Sequence, residues 1–188
     1  MKRLVSTLAL AGLSLAPELA LAHPGHGNGA FASGLLHPLT GADHLAAMLL
    51  VGLGAAVFLK RSGWVLPLAF LGGLTFGFVT GTWLPGSAAE AGIMASLVVL
   101  GLAAAFQVRT PAAIAAFLVA AFGYAHGASH GIEMPHDASP ALFAGGFLAT
   151  SALLHFGGYA LARVLPNPAL RLIGAGSAGF GLVLAGIS

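Results

Sequence analysis

The chain has 188 residues, of which seven are Lys or Arg, five are Asp or Glu, 58% are apolar and 28 are glycine. A water-soluble domain of this length could not cover its surface with so few charges, so the composition excludes a soluble globular protein and points to an all-α polytopic membrane protein. The net charge of +2 rests on too few groups to mark a nucleic-acid partner, and none is expected; the absence of cysteine excludes disulfides, thiolate zinc sites and cysteine-ligated iron–sulfur clusters.

In chain order, residues 1–22 read as a cleaved secretory signal peptide. Lys2 and Arg3 precede an apolar run from Leu4 to Leu15, Pro17 ends it, and "ALA" at Ala20 to Ala22 supplies the small residues of a cleavage site before His23. The apolar run falls well short of the roughly 20 residues that a membrane span needs. Residues 23–188 then read as one transmembrane domain. Six apolar stretches follow: Gly34 to Leu59, Trp64 to Trp83, Ala88 to Phe106, Pro111 to Gly131, Pro140 to Leu161 and Ala169 to Ile187. The connections between them are short and rich in Pro, Gly and charge, and none holds a second domain. Lys60, Arg61, Arg109, Arg163 and Arg171 lie in or beside the first, third and fifth connections. With the mature N-terminus outside, this distribution matches the positive-inside rule and predicts an N-out, C-out, six-helix topology. Gly73, Gly77 and Gly81, and again Gly123, Gly127 and Gly131, recur at helical spacing and predict close helix packing in lipid.

Against this background the ionisable residues of the spans stand out. In "AHGASHGIEMPHD", His126 and His130 are separated by about 40° on a helix, and Glu133 falls within about 20° of His126. Such a face can clamp a metal through two imidazoles, with a carboxylate as third ligand or as acceptor behind them. In "HPLTGADH", His37 and His44 share a helix face about 10 Å apart, whereas Asp43 points about 120° away from His37 on a regular helix. Pro38 and Gly41 favour an irregular start that could redirect Asp43. The expected arrangement is a relay, with His37 as a separate first station and Asp43, His44, His126 and His130 sharing a deeper site with Glu133. His23 and His26 are expected as loose accessory captors at the mature terminus. His155 is either a later station or an interhelical hydrogen-bonding residue. Intramembrane ionisable groups are costly and mark function by default. His136 and Asp137 read as solvated loop residues, Glu90 as a helix N-terminal charge or a mouth residue that attracts cations, and Met48, Met94 and Met134 as packing.

These motifs resemble the HupE/UreJ family, small bacterial membrane proteins associated with hydrogenase and urease systems and regarded as nickel or cobalt permeases. "HPLTGADHLAAMLLVG" fits the family's His-x5-Asp-His pattern and "HGASHGIEMP" resembles its His-Gly-x-Ala-His-Gly-x-Glu pattern, while "GFLATSALLHFGG" around His155 is similar in kind. Ala125 stands where the family pattern usually has Phe, and Ser129 where it has Ala; both leave the ligand types intact and bear on selectivity. The resemblance implies that His37, Asp43, His44, His126, His130 and Glu133 form a path for Ni2+ or Co2+ as transported substrate, with no prosthetic group. It also implies the bacterial inner membrane and a functional link to hydrogenase or urease maturation. The residue types alone equally suit zinc, copper(II) or manganese. Two other functions are weighed. An intramembrane metalloenzyme would need an open coordination position and a substrate cleft, and the chain has no His-Glu-x-x-His motif, so no enzyme activity is expected. A metal-sensing or accessory subunit would reveal itself by a co-purifying partner.

Overall fold

The structure is a computed structural model that describes residues 28–59, 62–135 and 138–187; the expected signal peptide, His23, His26, His136 and Asp137 lie outside the described residues. Seven α-helices follow in order: α1 (Asn28–Thr40), α2 (Ala42–Phe58), α3 (Val65–Thr80), α4 (Gly86–Phe106), α5 (Ala112–Glu133), α6 (Pro140–Val164) and α7 (Asn167–Ile187). A 3-10 turn, Gly81–Trp83, extends α3, and no strand occurs among the described residues. Prolines stand at the entries of five helices: Pro67 and Pro168 lie in the first turns of α3 and α7, Pro85 and Pro111 cap α4 and α5, and Pro140 opens α6. At such positions the missing N–H would have had no helical partner.

Helices α4 to α7 are each long and apolar enough to cross a membrane. The first two expected spans differ from the sequence reading. Gly34 to Leu59 is not one rod but two helices bent by 84°. The helix continues through Pro38 and breaks at Gly41, whose backbone is extended at φ −99° and ψ 118°. Trp64 to Trp83 contains a helix of only 16 residues before the 3-10 turn. Many large apolar side chains point outward, among them Phe117, Leu153, Phe156 and Leu172. A multi-pass membrane protein accounts for them, because lipid tails solvate such a surface and water does not.

Helix α2 runs through the middle of this bundle. Ala47, Met48, Leu50, Val51, Leu53 and Ala55 are all buried, since α3, α4, α6 and α7 pack around it. Met48 therefore serves in packing, as the sequence suggests. Glycines set the remaining helix pairs. A Cβ on Gly73, Gly77 or Gly81 would run into the backbone of Ala120, Tyr124 or Ala128, and one on Gly123, Gly127 or Gly131 into that of Phe70, Leu74 or Phe78. Both sets of numbers climb together, so α3 and α5 lie parallel and interlock over three turns. On the other side, Gly101 meets Gly174 and Ala178 while Gly181 meets Met94 and Leu97, which makes α4 and α7 antiparallel. Helix α1 is held on α6 by the contacts of Gly34 with Phe143 and of Gly146 with Phe31, and by a 2.7 Å hydrogen bond from Thr150 Oγ1 to the Leu35 carbonyl.

Candidate metal centre

The break at Gly41 is what assembles the site. On a continuous helix His37 would stand about two turns from His44. With α1 folded against α6 and α2 driven into the bundle, both residues instead flank the same imidazole on α5. The His37 ring lies 4.6 Å from that of His130 and the His44 ring 4.4 Å from it, centroid to centroid. A Cβ on Gly41 would fall 2.8 Å from Asp43 Oδ1 and 2.9 Å from His44 Nδ1, so the junction has no room for a larger residue without disturbing that pair.

Three residues of the set present ligand atoms within 4.8 Å of one another: His37, His130 and Glu133. Helix α5 persists to Glu133, which brings its carboxylate back over His130. His37 Nε2 is 3.1 Å and His130 Nδ1 3.3 Å from Glu133 Oε2, while the hydroxyl of Ser129 donates to Oε1 at 2.8 Å. This group lies at the rim: the Glu133 side chain is 46% exposed and that of His37 25%, against 2% for His130.

Behind it the imidazoles continue inward. Asp43 does not turn toward His37. Its Oδ1 accepts hydrogen bonds from both the backbone N–H and the Nδ1 of His44, each at 2.9 Å. A carboxylate on one ring nitrogen fixes the tautomer and leaves Nε2 with a free lone pair, the way metal-bound histidines are commonly oriented. His126 is oriented by its own helix, with Nδ1 donating to the Phe122 carbonyl at 2.9 Å, and its ring lies 5.2 Å from that of His44. The Nε2 atoms of His44 and His126 and both nitrogens of His130 are buried without a hydrogen-bond partner among the described residues.

His155 lies farther along, and a phenylalanine separates it from the rest. The Phe70 ring is 5.1 Å from His126 and 5.0 Å from His155. His155 also lines a cavity of about 820 Å³ with Ala55, Trp64, Tyr159 and Arg163. Neither of its nitrogens has a hydrogen-bond partner among the described residues, so the interhelical hydrogen bond expected as one of its roles is not made there. Nothing in the sequence singled out Phe70 among 12 phenylalanines, and Ser129 registered only as a departure from a pattern. The other end of the bundle carries the opposite charge: Arg109 and Arg163 line a second cavity of about 680 Å³ with Gln107 and Asn167, and Arg171 bonds Gln107 at 3.4 Å.

The separate first station expected for His37 is therefore replaced by a direct contact with Glu133 and His130. All six residues fall into one connected cluster, with a three-residue rim and the Asp43, His44 and His126 group behind it. This arrangement can replace the hydration of a divalent cation with imidazole nitrogens and compensate its charge with two carboxylates. Comparison with known proteins identifies relatives of the chain. Residues 10–184 match the family described as HupE / UreJ protein. The chain is 38% identical over 185 residues to Protein HupE of Rhizobium leguminosarum bv. viciae, an alignment covering 96% of this chain and 94% of the relative. No solved structure matches.

Proposed function

We propose that this chain, which belongs to the HupE/UreJ family, is a permease that moves a divalent transition-metal cation, Ni2+ or Co2+, across the bacterial inner membrane. The observation that carries the reading is the run of buried, unpartnered imidazole nitrogens on His44, His126 and His130 behind the rim of His37 and Glu133. Each such nitrogen in a dry interior costs about 1–3 kcal/mol unless it finds a partner, and a cation passing along the run supplies one. Asp43 and Glu133 offset its charge, and the imidazoles replace its water in turn. No residue in the run forms a closed cage, which suits passage, because a conducted ion must be held loosely enough to leave.

The same reading supplies the topology. The bent pair α1–α2 is the first of six crossings after a cleaved signal peptide, with both mature termini outside. Glu90 and Glu133 then face the outside, and the arginine-lined end faces the cytoplasm, in keeping with the positive-inside rule. His23 and His26 precede the rim and would feed it at low metal concentration. Delivery of nickel to hydrogenase or urease maturation fits the family association. The test is uptake into vesicles or cells in competition among nickel, cobalt, zinc, copper and manganese, with and without a collapsed proton gradient. Accumulation of nickel or cobalt above a transporter-free control is expected; no accumulation of any of the five overturns the reading.

A further inference from the structure

We propose that Ser129 is a positioning residue that makes Glu133 a one-oxygen ligand. The inference rests on the reading of His37, His130 and Glu133 as the residues that first take the cation. Three buried serines lie on these helices, and two of them hydrogen-bond their own backbone: Ser96 donates to the Ile93 carbonyl and Ser151 to that of Phe147. That is the usual habit of a helical serine. Ser129 does otherwise. It is 6% exposed and donates forward along α5 to Glu133 Oε1 at 2.8 Å. Its bond occupies one carboxylate oxygen and turns the other, Oε2, toward His37 and His130.

The chemical consequence concerns coordination number. A carboxylate free to rotate can grip a cation through both oxygens, which raises its hold and suits large oxygen-seeking ions. With Oε1 engaged by the hydroxyl, Glu133 offers one oxygen beside two nitrogens, and the cation keeps water at its remaining positions. This set favours smaller nitrogen-seeking ions over calcium or manganese and leaves exchangeable sites for the next imidazole inward.

The experiment uses purified full-length protein in detergent and Co2+ as the probe, because its visible spectrum reports the number and kind of its ligands. Affinity is measured by titration, and infrared difference spectra read the separation of the two carboxylate stretches, wide for one-oxygen and narrow for two-oxygen binding. Wild type, S129A, E133Q and the double variant are compared. We expect S129A to narrow that separation and to change Co2+ affinity about ten- to a hundredfold, the range found when the group orienting a metal ligand is removed. E133Q should abolish the carboxylate signal, and S129A should add nothing further in the E133Q background. If E133Q alters Co2+ binding while S129A keeps the wild-type stretches and affinity, the role of Ser129 is refuted and the rim site stands. Should E133Q itself bind Co2+ like the wild type, both readings fall.

Discussion

Histidines stand on both sides of Phe70, His126 with its neighbours on one and His155 on the other, and they differ in what stands behind the ring. On one side His44 leans on Asp43 and His126 on the Phe122 carbonyl, so both rings are turned by an acceptor, while His130 stands beside Glu133 without a hydrogen bond of its own among the described residues. On the other, His155 touches Phe70 and a cavity wall with neither nitrogen engaged. An oriented imidazole presents its lone pair at a fixed place, whereas an unoriented one must lose rotational freedom as it binds. For His44 and His126 the acceptor behind the ring, not burial, is what sets them apart from His155.

The sharpest way to break this comparison is to remove one oriented pair and the unoriented ring in parallel. Asp43→Asn and His44→Ala should reduce metal uptake to the level of empty vesicles, whereas His155→Leu should keep at least a measurable share of it. Equal losses in the two arms would show that orientation is not the distinction. Next in size is Gly41→Ala, whose added carbon must displace the Asp43–His44 pair. Uptake about tenfold or more below wild type is expected, in the range for a disturbed supporting group, with normal protein levels in the membrane; wild-type rates would mean that the junction yields without moving the pair. His37→Ala should act less severely, because His44, His126 and His130 remain. Titration of the purified variant should show binding weakened but not lost, and complete loss would make His37 indispensable to the whole cluster. The smallest effect on transport, through stability alone, is expected from Gly127→Ala. Its methyl would meet the Leu74 carbonyl and cost about 1–3 kcal/mol of overpacking, read as a lowered thermal midpoint in detergent. An unchanged midpoint would mean that the α3–α5 contact is loose.

Much of this was legible beforehand. Runs of apolar residues announced the helices, and the His126, His130 and Glu133 spacing placed three ionisable groups on one face because α5 is regular there. The glycine stripes announced close packing, although not that the two stripes would pack on each other. What periodicity could not deliver was the course of the chain at Gly41. A bend of 84° moves His37 relative to His44 by an amount that no helical wheel contains. It also couples His37 to Glu133, 96 residues away in sequence. The fate of Asp43 was hidden for a different reason: its nearest competitor for a hydrogen bond is the very next residue, and a contact between neighbours leaves no trace in spacing. Phe70 was invisible because an apolar residue in an apolar helix carries no signal until its neighbours are known.

The interlocked glycines of α3 and α5 also limit how the molecule can deform. With six backbone approaches in register, neither helix can creep along the other by a fraction of a turn, since every carbonyl would first have to climb over the next Cα. The pair slips by a full turn of about 5.4 Å or not at all. Phe70 rides on one member of that pair and His126 on the other. Their relative height is thus geared, like teeth on a rack, and any motion that shifts Phe70 against His126 must come from rotation of its ring or from the helices outside the pair.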